Sequence, residues 1–140
     1  MTPMKLPYDQ FLKSFELAPR VAIDLWIKNE DGAVVYTKRE VEPYKGLWHL
    51  PGSFILVGES VEECVKRLVD EELGLKINDS NFKLRNLDED LHELRGHVIH
   101  LVYEVKIVKA EIMETENVRW LFEPPKDIIP THRRIFLNLN

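Results

Sequence analysis

Residues 51–75, PGSFILVGESVEECVKRLVDEELGL, decide how this chain is read. Ser60-Val61-Glu62-Glu63 has the form of a capping box: the Ser60 hydroxyl accepts from the Glu63 amide while Glu63 reaches back. Gly74 falls where a chain leaving a helix turns left-handed, a conformation glycine adopts without a steric penalty. The two signals bound a helix from about Val61 to Leu73. At roughly 100° per residue, Val61, Cys64, Val65, Leu68, Val69 and Leu73 form one apolar stripe. Glu72 lies near the middle of that stripe, and Glu71 lies on its edge, four residues after Arg67. A carboxylate at the centre of an apolar face is costly unless it is paired or binds a metal. The stretch therefore reads as a candidate site for a divalent cation held against a diphosphate.

Upstream, Tyr8 to Glu16 suits a short helix ending before Pro19. Val21, Ile23, Leu25 and Ile27 then alternate with Ala22, Asp24, Trp26 and Lys28, the period of a strand. Asn29-Glu30-Asp31-Gly32 is a turn signal, and Ala33 to Lys38 returns as the second arm of a hairpin. Leu47 to Leu50 is a short strand that Pro51-Gly52 ends. Downstream, Phe82 to Leu87 and Val118 to Phe122 read as strands, and Asp88 to Glu93 as a polar connection. His97 to Val108 is the longest strand, with Ile99, Leu101, Tyr103, Val105 and Ile107 on one face. Thr131 caps a C-terminal helix. The pattern is α+β, a mixed sheet with helices packed on it.

The chain has 140 residues, 44% hydrophobic and 31% charged, which suits one domain over residues 1–140 with a genuine core. A net charge of −5 and a pI of about 5.6 argue against a nucleic-acid partner, since duplex binding needs a basic surface. The single cysteine, Cys64, allows no intrachain disulfide and points to a reducing compartment. No stretch approaches the roughly 20 apolar residues of a membrane span, and the N-terminus lacks the apolar core of a signal peptide. The expectation is a cytoplasmic protein with no membrane partner.

The 52–75 segment resembles the Nudix box, Gly–x5–Glu–x7–Arg–Glu–apolar–x–Glu–Glu–x–Gly–apolar. Glu59 fills the first Glu, Arg67 the Arg, Val69 the apolar site, Glu71 and Glu72 the pair, and Gly74 and Leu75 the end. Ser53 replaces the leading Gly, although Gly52 precedes it, and Leu68 replaces the Glu after the Arg. The resemblance implies a Nudix-type α/β/α sandwich with the box helix and a C-terminal helix on a mixed sheet. It implies hydrolysis of a small-molecule nucleoside diphosphate derivative with Mg2+, or alternatively Mn2+. Glu71, Glu72 and the Gly52 carbonyl would hold the metal, and hard oxygen donors few in number suit magnesium. Arg67 would fix a box carboxylate, with Glu59 in support. A homodimer is plausible on the same ground.

Arg67-Leu68 and Glu72-Leu73-Gly74-Leu75 are further similar to the GDP-mannose mannosyl hydrolases, a Nudix subclass. So are Ile23-Asp24-Leu25, Asn29 to Gly32, Lys38-Arg39, Gly46-Leu47-Trp48 and Arg119-Trp120-Leu121. That likeness implies attack at the sugar carbon, releasing sugar and nucleoside diphosphate, with Arg39 on the diphosphate and Asp24 facing the glycosyl side. Phe54 stands where the subclass has an Arg. The loop before the late strand carries no His, so Glu114 or Glu116 is left to activate water. Arg95 is a further candidate for a phosphate contact, and His92 for a mobile base. His100 reads as a packed histidine, and His132 as helix surface. The alternatives are a conventional pyrophosphatase acting on ADP-ribose or (d)NTPs, which Glu71 favours, and a non-catalytic nucleotide-binding module, which Leu68 and the missing loop His favour.

Overall fold

The computed structural model describes residues 2–139. Its elements in chain order are α1 (Tyr8–Leu17), β1 (Arg20–Lys28), β2 (Val34–Lys38), β3 (Trp48–His49), β4 (Gly52–Phe54), α2 (Val61–Leu73), β5 (Phe82–Glu93), β6 (Gly96–Lys106), β7 (Val118–Leu121) and α3 (Pro130–Leu139). The seven strands form one mixed sheet. β1 runs parallel to β6 along its whole length, Arg20 against Val98 through Lys28 against Lys106. The β5–β6 hairpin adds an antiparallel edge.

One topological detail makes the site. β1 and β2 pair only at Lys28–Val34 and then splay apart. The chain from 48 to 54 fills the gap, with β3 pairing with the end of β2 and β4 with the start of β1. β7 covers the far side of β2.

Period-two alternation along the central strands divides two cores. Ile23, Leu25, Ile27 and Val105 pack under Cys64, Val65, Leu68 and Val69 of α2. On the other face, Trp26, Val102 and Tyr36 meet Ile135 and Phe136 of α3, and Ala22 and Val98 meet Phe15 of α1. The result is an α/β/α sandwich. The α2 bounds are those its sequence predicts: Ser60 Oγ accepts from the Glu63 amide, and Gly74 is left-handed with φ 69°.

Several expectations need correction. Gly52–Phe54 is a strand rather than the end of one, because its partner β1 lies far upstream. Asp88–Glu93 continues β5 instead of forming a connection. Its polar residues tolerate a strand because they sit on the sheet edge, where Asp88 pairs with Arg134 and Glu89 with His97. Thr131 lies inside α3, and its hydroxyl donates to Asp90 Oδ2 at 2.8 Å instead of capping the helix. Among the described residues no helix is long and apolar enough to cross a membrane.

Candidate active site

The splay between β1 and β2 opens into a cavity of about 490 Å³. Asp24, Arg39, Gly52, Glu71, Glu72 and Arg95 all line it, so residues from β1, β4, α2, the loop after β2 and the β5–β6 turn converge there. Gly52 sits where β4 crosses β1, and a Cβ on it would stand 2.3 Å from the Ile23 carbonyl oxygen. Only glycine permits this approach.

Glu72 departs from its sequence reading. Its predicted place is the middle of a buried stripe, yet its side chain is exposed to the cavity. The buried positions of the stripe are Cys64, Val65, Leu68 and Val69; Leu73 packs against the same core, while Glu72 beside it lines the cavity. Enclosure among protein atoms and the neighbouring Glu71 charge push the Glu72 carboxyl above its ordinary range, against Arg39 and Lys5. Leu68 is 1% exposed and belongs to the core under α2.

Behind the cavity wall, Arg67 ties the box together. Its Nε and Nη2 donate to the two Glu59 carboxylate oxygens at 2.6 and 3.1 Å, Nη2 to the Phe54 carbonyl, and Nη1 to Glu71 Oε2 at 3.2 Å. The Leu56 amide adds a bond to Glu59. Burial opposes the Glu59 charge, but Arg67 and this amide outweigh it and hold the carboxyl below its usual range. With the Glu59 side chain only 4% exposed, Arg67→Ala leaves a buried carboxylate unpaired. The expected loss is about 3 kcal/mol of stability, measured by urea unfolding at neutral pH, and Arg67→Lys recovers only part because Lys lacks the planar fork.

Across the cavity stand two guanidiniums. Arg39 Nε donates to the Pro43 carbonyl at 2.6 Å, and the backbone of its loop closes through Arg39 N–Leu47 O and Gly46 N–Arg39 O. Arg39 makes no ion pair among the described residues; burial and then the like charge of Arg95 pull its pKa down. Arg95 pairs with Glu93 at 2.9 Å and lies over the rings of Phe11, Phe15 and Phe54. Glu116 is exposed on the loop before β7 and is not among the lining residues, while Glu114 accepts from the Trp120 amide at 2.9 Å. His92 also lies outside the cavity, on the exposed side of β5.

Three histidines, His49, His100 and His132, line the cavity as well, and the sequence reading gave neither His100 nor His132 a role there. His100 Nδ1 meets Asp24 Oδ2 at 2.5 Å, and His132 Nε2 lies 3.5 Å from Asp24 Oδ1. His132 is buried, contrary to its reading as helix surface. Its Nδ1 accepts from the Leu50 amide at 2.8 Å, which places its proton on Nε2, toward Asp24. His49 is held between the Thr37 hydroxyl and the Leu50 carbonyl. The only sequence signal for this cluster was the alternation that put His100 on the Val98–Val102 face. Burial favours protonated Asp24, but the charge and hydrogen bond of His100 prevail and its pKa is lowered. Burial likewise disfavours charged His100, and Asp24 again prevails, raising it.

Burial, with the His132 charge, drops the His49 pKa to about 4 against an ordinary 6.5, despite the Leu50 carbonyl. Between those values the unfolded chain binds a proton that the native state refuses, so stability falls as pH is lowered through that window. His132, lowered by its burial, acts in the same sense. His49→Gln is expected to remove about 2–3 kcal/mol of this acid loss, read from urea midpoints at pH 7 and pH 4.5.

The groups that could hold a metal here are two carboxylates and a backbone carbonyl, Glu71, Glu72 and Gly52, all in the cavity lining. No group of three metal-ligating side chains is gathered among the described residues. Such a set does not suit an all-protein cage. It fits an ion like Mg2+, which binds one or two carboxylates and completes its shell with water and phosphate.

A sandwich with this box helix and this cavity defines a class, and the comparisons agree. A family profile described as NUDIX domain matches residues 18–136. The chain belongs to the Nudix family. It is 35% identical over 105 residues to an ADP-ribose pyrophosphatase of Methanocaldococcus jannaschii, a match covering 74% of this chain and 60% of that protein. It is 29% identical over 128 residues to the low-salt glycan biosynthesis protein Agl8 of Haloferax volcanii, covering 86% of this chain and 81% of that one. Among solved structures, a MutT/nudix family protein from Enterococcus faecalis superposes with a TM-score of 0.74 at 20% identity, over 96% of this chain and 68% of that chain.

Proposed function

We propose that this protein is a divalent-metal-dependent hydrolase of nucleoside diphosphate derivatives, and that its substrate is a nucleotide sugar such as GDP-mannose. The observation that carries the reading is the meeting of opposite charges in one cavity. Glu71, Glu72, Arg39 and Arg95 all line it. A diphosphate there would satisfy both: Glu71 and Glu72 would hold a cation that neutralises phosphate charge, and the guanidinium forks of Arg39 and Arg95 would take phosphate oxygens. Arg39, desolvated and without a carboxylate partner, gains most from the anion. When bound, the metal supplies charge neutralisation to the diphosphate leaving group.

The sugar assignment draws on Asp24, a buried carboxylate in the cavity lining that faces two histidines. The similarity to a protein named for glycan biosynthesis supports the same choice. The chain's similarity to an ADP-ribose pyrophosphatase supports a second reading, cleavage of the diphosphate itself. A panel of GDP-mannose, ADP-ribose and dNTPs with Mg2+ or Mn2+ tests both. Release of free sugar with 18O from labelled water in the sugar supports the first reading, and label in phosphate the second. Thermal stabilisation by nucleotides with no turnover of any of them would show a binding module instead.

A further inference from the structure

The hydrolase reading leaves one gap. The position after the box Arg is core Leu68, the loop before β7 has no His, and Glu116 lies outside the cavity. We propose that His100 is the proton acceptor for the attacking water, oriented by Asp24. This assignment rests on the hydrolase reading and goes beyond it.

His100 is 7% exposed, and its Nε2 is buried with no hydrogen-bond partner. A buried ring nitrogen without a partner is costly and calls for a function or a partner that arrives with ligand. Its other nitrogen is engaged: Nδ1–H donates to Asp24 Oδ2 at 2.5 Å, which in the neutral ring leaves the lone pair on Nε2. An imidazole tethered at Nδ1 to a buried carboxylate is the arrangement that fixes the tautomer and stabilises the imidazolium when the ring takes a proton.

The other proton-accepting groups on the cavity are committed elsewhere. His49 has both nitrogens in hydrogen bonds. His132 accepts from Leu50 and turns its N–H to Asp24. Glu93 holds Arg95, Glu40 accepts from Asn117, and Glu71 takes both Arg67 and Lys5. Glu72 is the one carboxylate of the box left open to the cation.

Position separates the two halves of the chemistry. Asp24 and His100 share strand parity with Ala22, Val98 and Val102, on the α1/α3 face of the sheet, whereas the carboxylates come from α2 on the opposite face. With the sugar beside Asp24, as the nucleotide-sugar reading has it, water activated at His100 attacks the sugar carbon. The step balances: a water O–H bond breaks with its proton going to Nε2, and the oxygen bonds to the anomeric carbon. The carbon–oxygen bond to the diphosphate breaks, its electron pair staying on the diphosphate oxygen. His100 then returns its proton to solvent.

The charged and titratable groups around His100 are Asp24 from β1, Asp88 and Asp90 from β5, and His132 from α3. The three acids raise its affinity for the proton, so activity falls as pH drops through its titration. The experiment measures kcat/KM on GDP-mannose with Mg2+ across pH for wild type, His100→Gln and Asp24→Asn, with GDP–Mn2+ affinity measured in parallel. Expected for His100→Gln are a loss of about 10²–10⁴-fold, disappearance of the acidic limb and GDP–Mn2+ affinity within about threefold of wild type. Asp24→Asn loses less and shifts the limb downward. A rate within about threefold of wild type, or a lost rate with the limb intact, overturns the His100 assignment alone; label from 18O-water in phosphate overturns it together with the sugar-releasing reading. A wild type inactive on every substrate overturns the hydrolase reading and this assignment with it. Histidine-15N NMR of the wild type needs no variant: at high pH His100 is expected to show a proton on Nδ1 and none on Nε2, and the reverse tautomer overturns the proposal.

Discussion

Glu72→Gln is expected to leave the protein folded and remove its metal-dependent turnover. The side chain is exposed to the cavity, so the substitution takes no packing from the core and shifts stability by no more than about 0.5 kcal/mol. Chemically, the change is large. A carboxamide offers one neutral oxygen where the cation needs a charged one, and the remaining donors are Glu71 and the Gly52 carbonyl. Glu71 is already shared between Arg67 and Lys5. A drop in kcat/KM on the order of 10³ follows if the cation supplies several kcal/mol to the leaving diphosphate. Titration calorimetry with Mn2+ gives the independent readout, with binding lost in Glu72→Gln and weakened about 10–100-fold in Glu71→Gln. Because the Glu72 carboxyl is raised by enclosure and by Glu71, and a carboxylate must be deprotonated to bind a metal, wild-type Mn2+ affinity declines on acidification earlier than an ordinary glutamate would dictate. Unchanged Mn2+ binding in Glu72→Gln would place the cation elsewhere.

The box helix was legible because its signals are local. Ser60 and Gly74 act within a turn of the helix they bound, and both ends form where they stand, although the expected return bond from the Glu63 side chain to the Ser60 amide is absent among the described residues. The convergence of Asp24 and Arg39 on the box was legible only through family likeness, and Arg95 was read as a phosphate contact from its own segment alone, because the spacing of those residues carries no geometric information about one another. What escaped the sequence depends on contacts between distant segments. β4 has three residues and no alternation of its own; it is a strand because β1 offers an edge where β2 has splayed away. His132 sits on a helix whose polar face looks solvated in sequence, yet the chain entering that helix docks on β3 through Trp48 N–Asp127 O and Ile129 N–Trp48 O, which brings the imidazole under Leu50. Glu72 shows the limit of a helical wheel. Phase says which face a residue is on, but not whether the sheet extends far enough to cover it.

Gly52→Ala is expected to damage both the fold and the site, through a single methyl group. The new Cβ would lie 2.3 Å from the Ile23 carbonyl oxygen, 3.1 Å from the Asp24 Cα and 3.2 Å from Asp24 Oδ1. The first two are backbone atoms of β1, held by parallel pairing to β6 along the whole strand, so β1 cannot yield cheaply. The short β4 must move instead, breaking the Ala22–Phe54, Ile23–Ser53 and Asp24–Gly52 register. Its displacement pulls the Phe54 carbonyl from Arg67 and shifts the Gly52 carbonyl from the place proposed for it on the cation, while the methyl presses on the carboxylate bonded to His100. A cost on the order of 4 kcal/mol is expected, in the range reserved for substitutions that break a constrained backbone contact. Turnover should fall even at temperatures where the variant stays folded. Ser53→Ala, one residue along, provides the control: its side chain is exposed and makes no hydrogen bond among the described residues, so stability should change by no more than about 0.5 kcal/mol. Comparable urea midpoints for the two variants would show that β4 does not need its glycine.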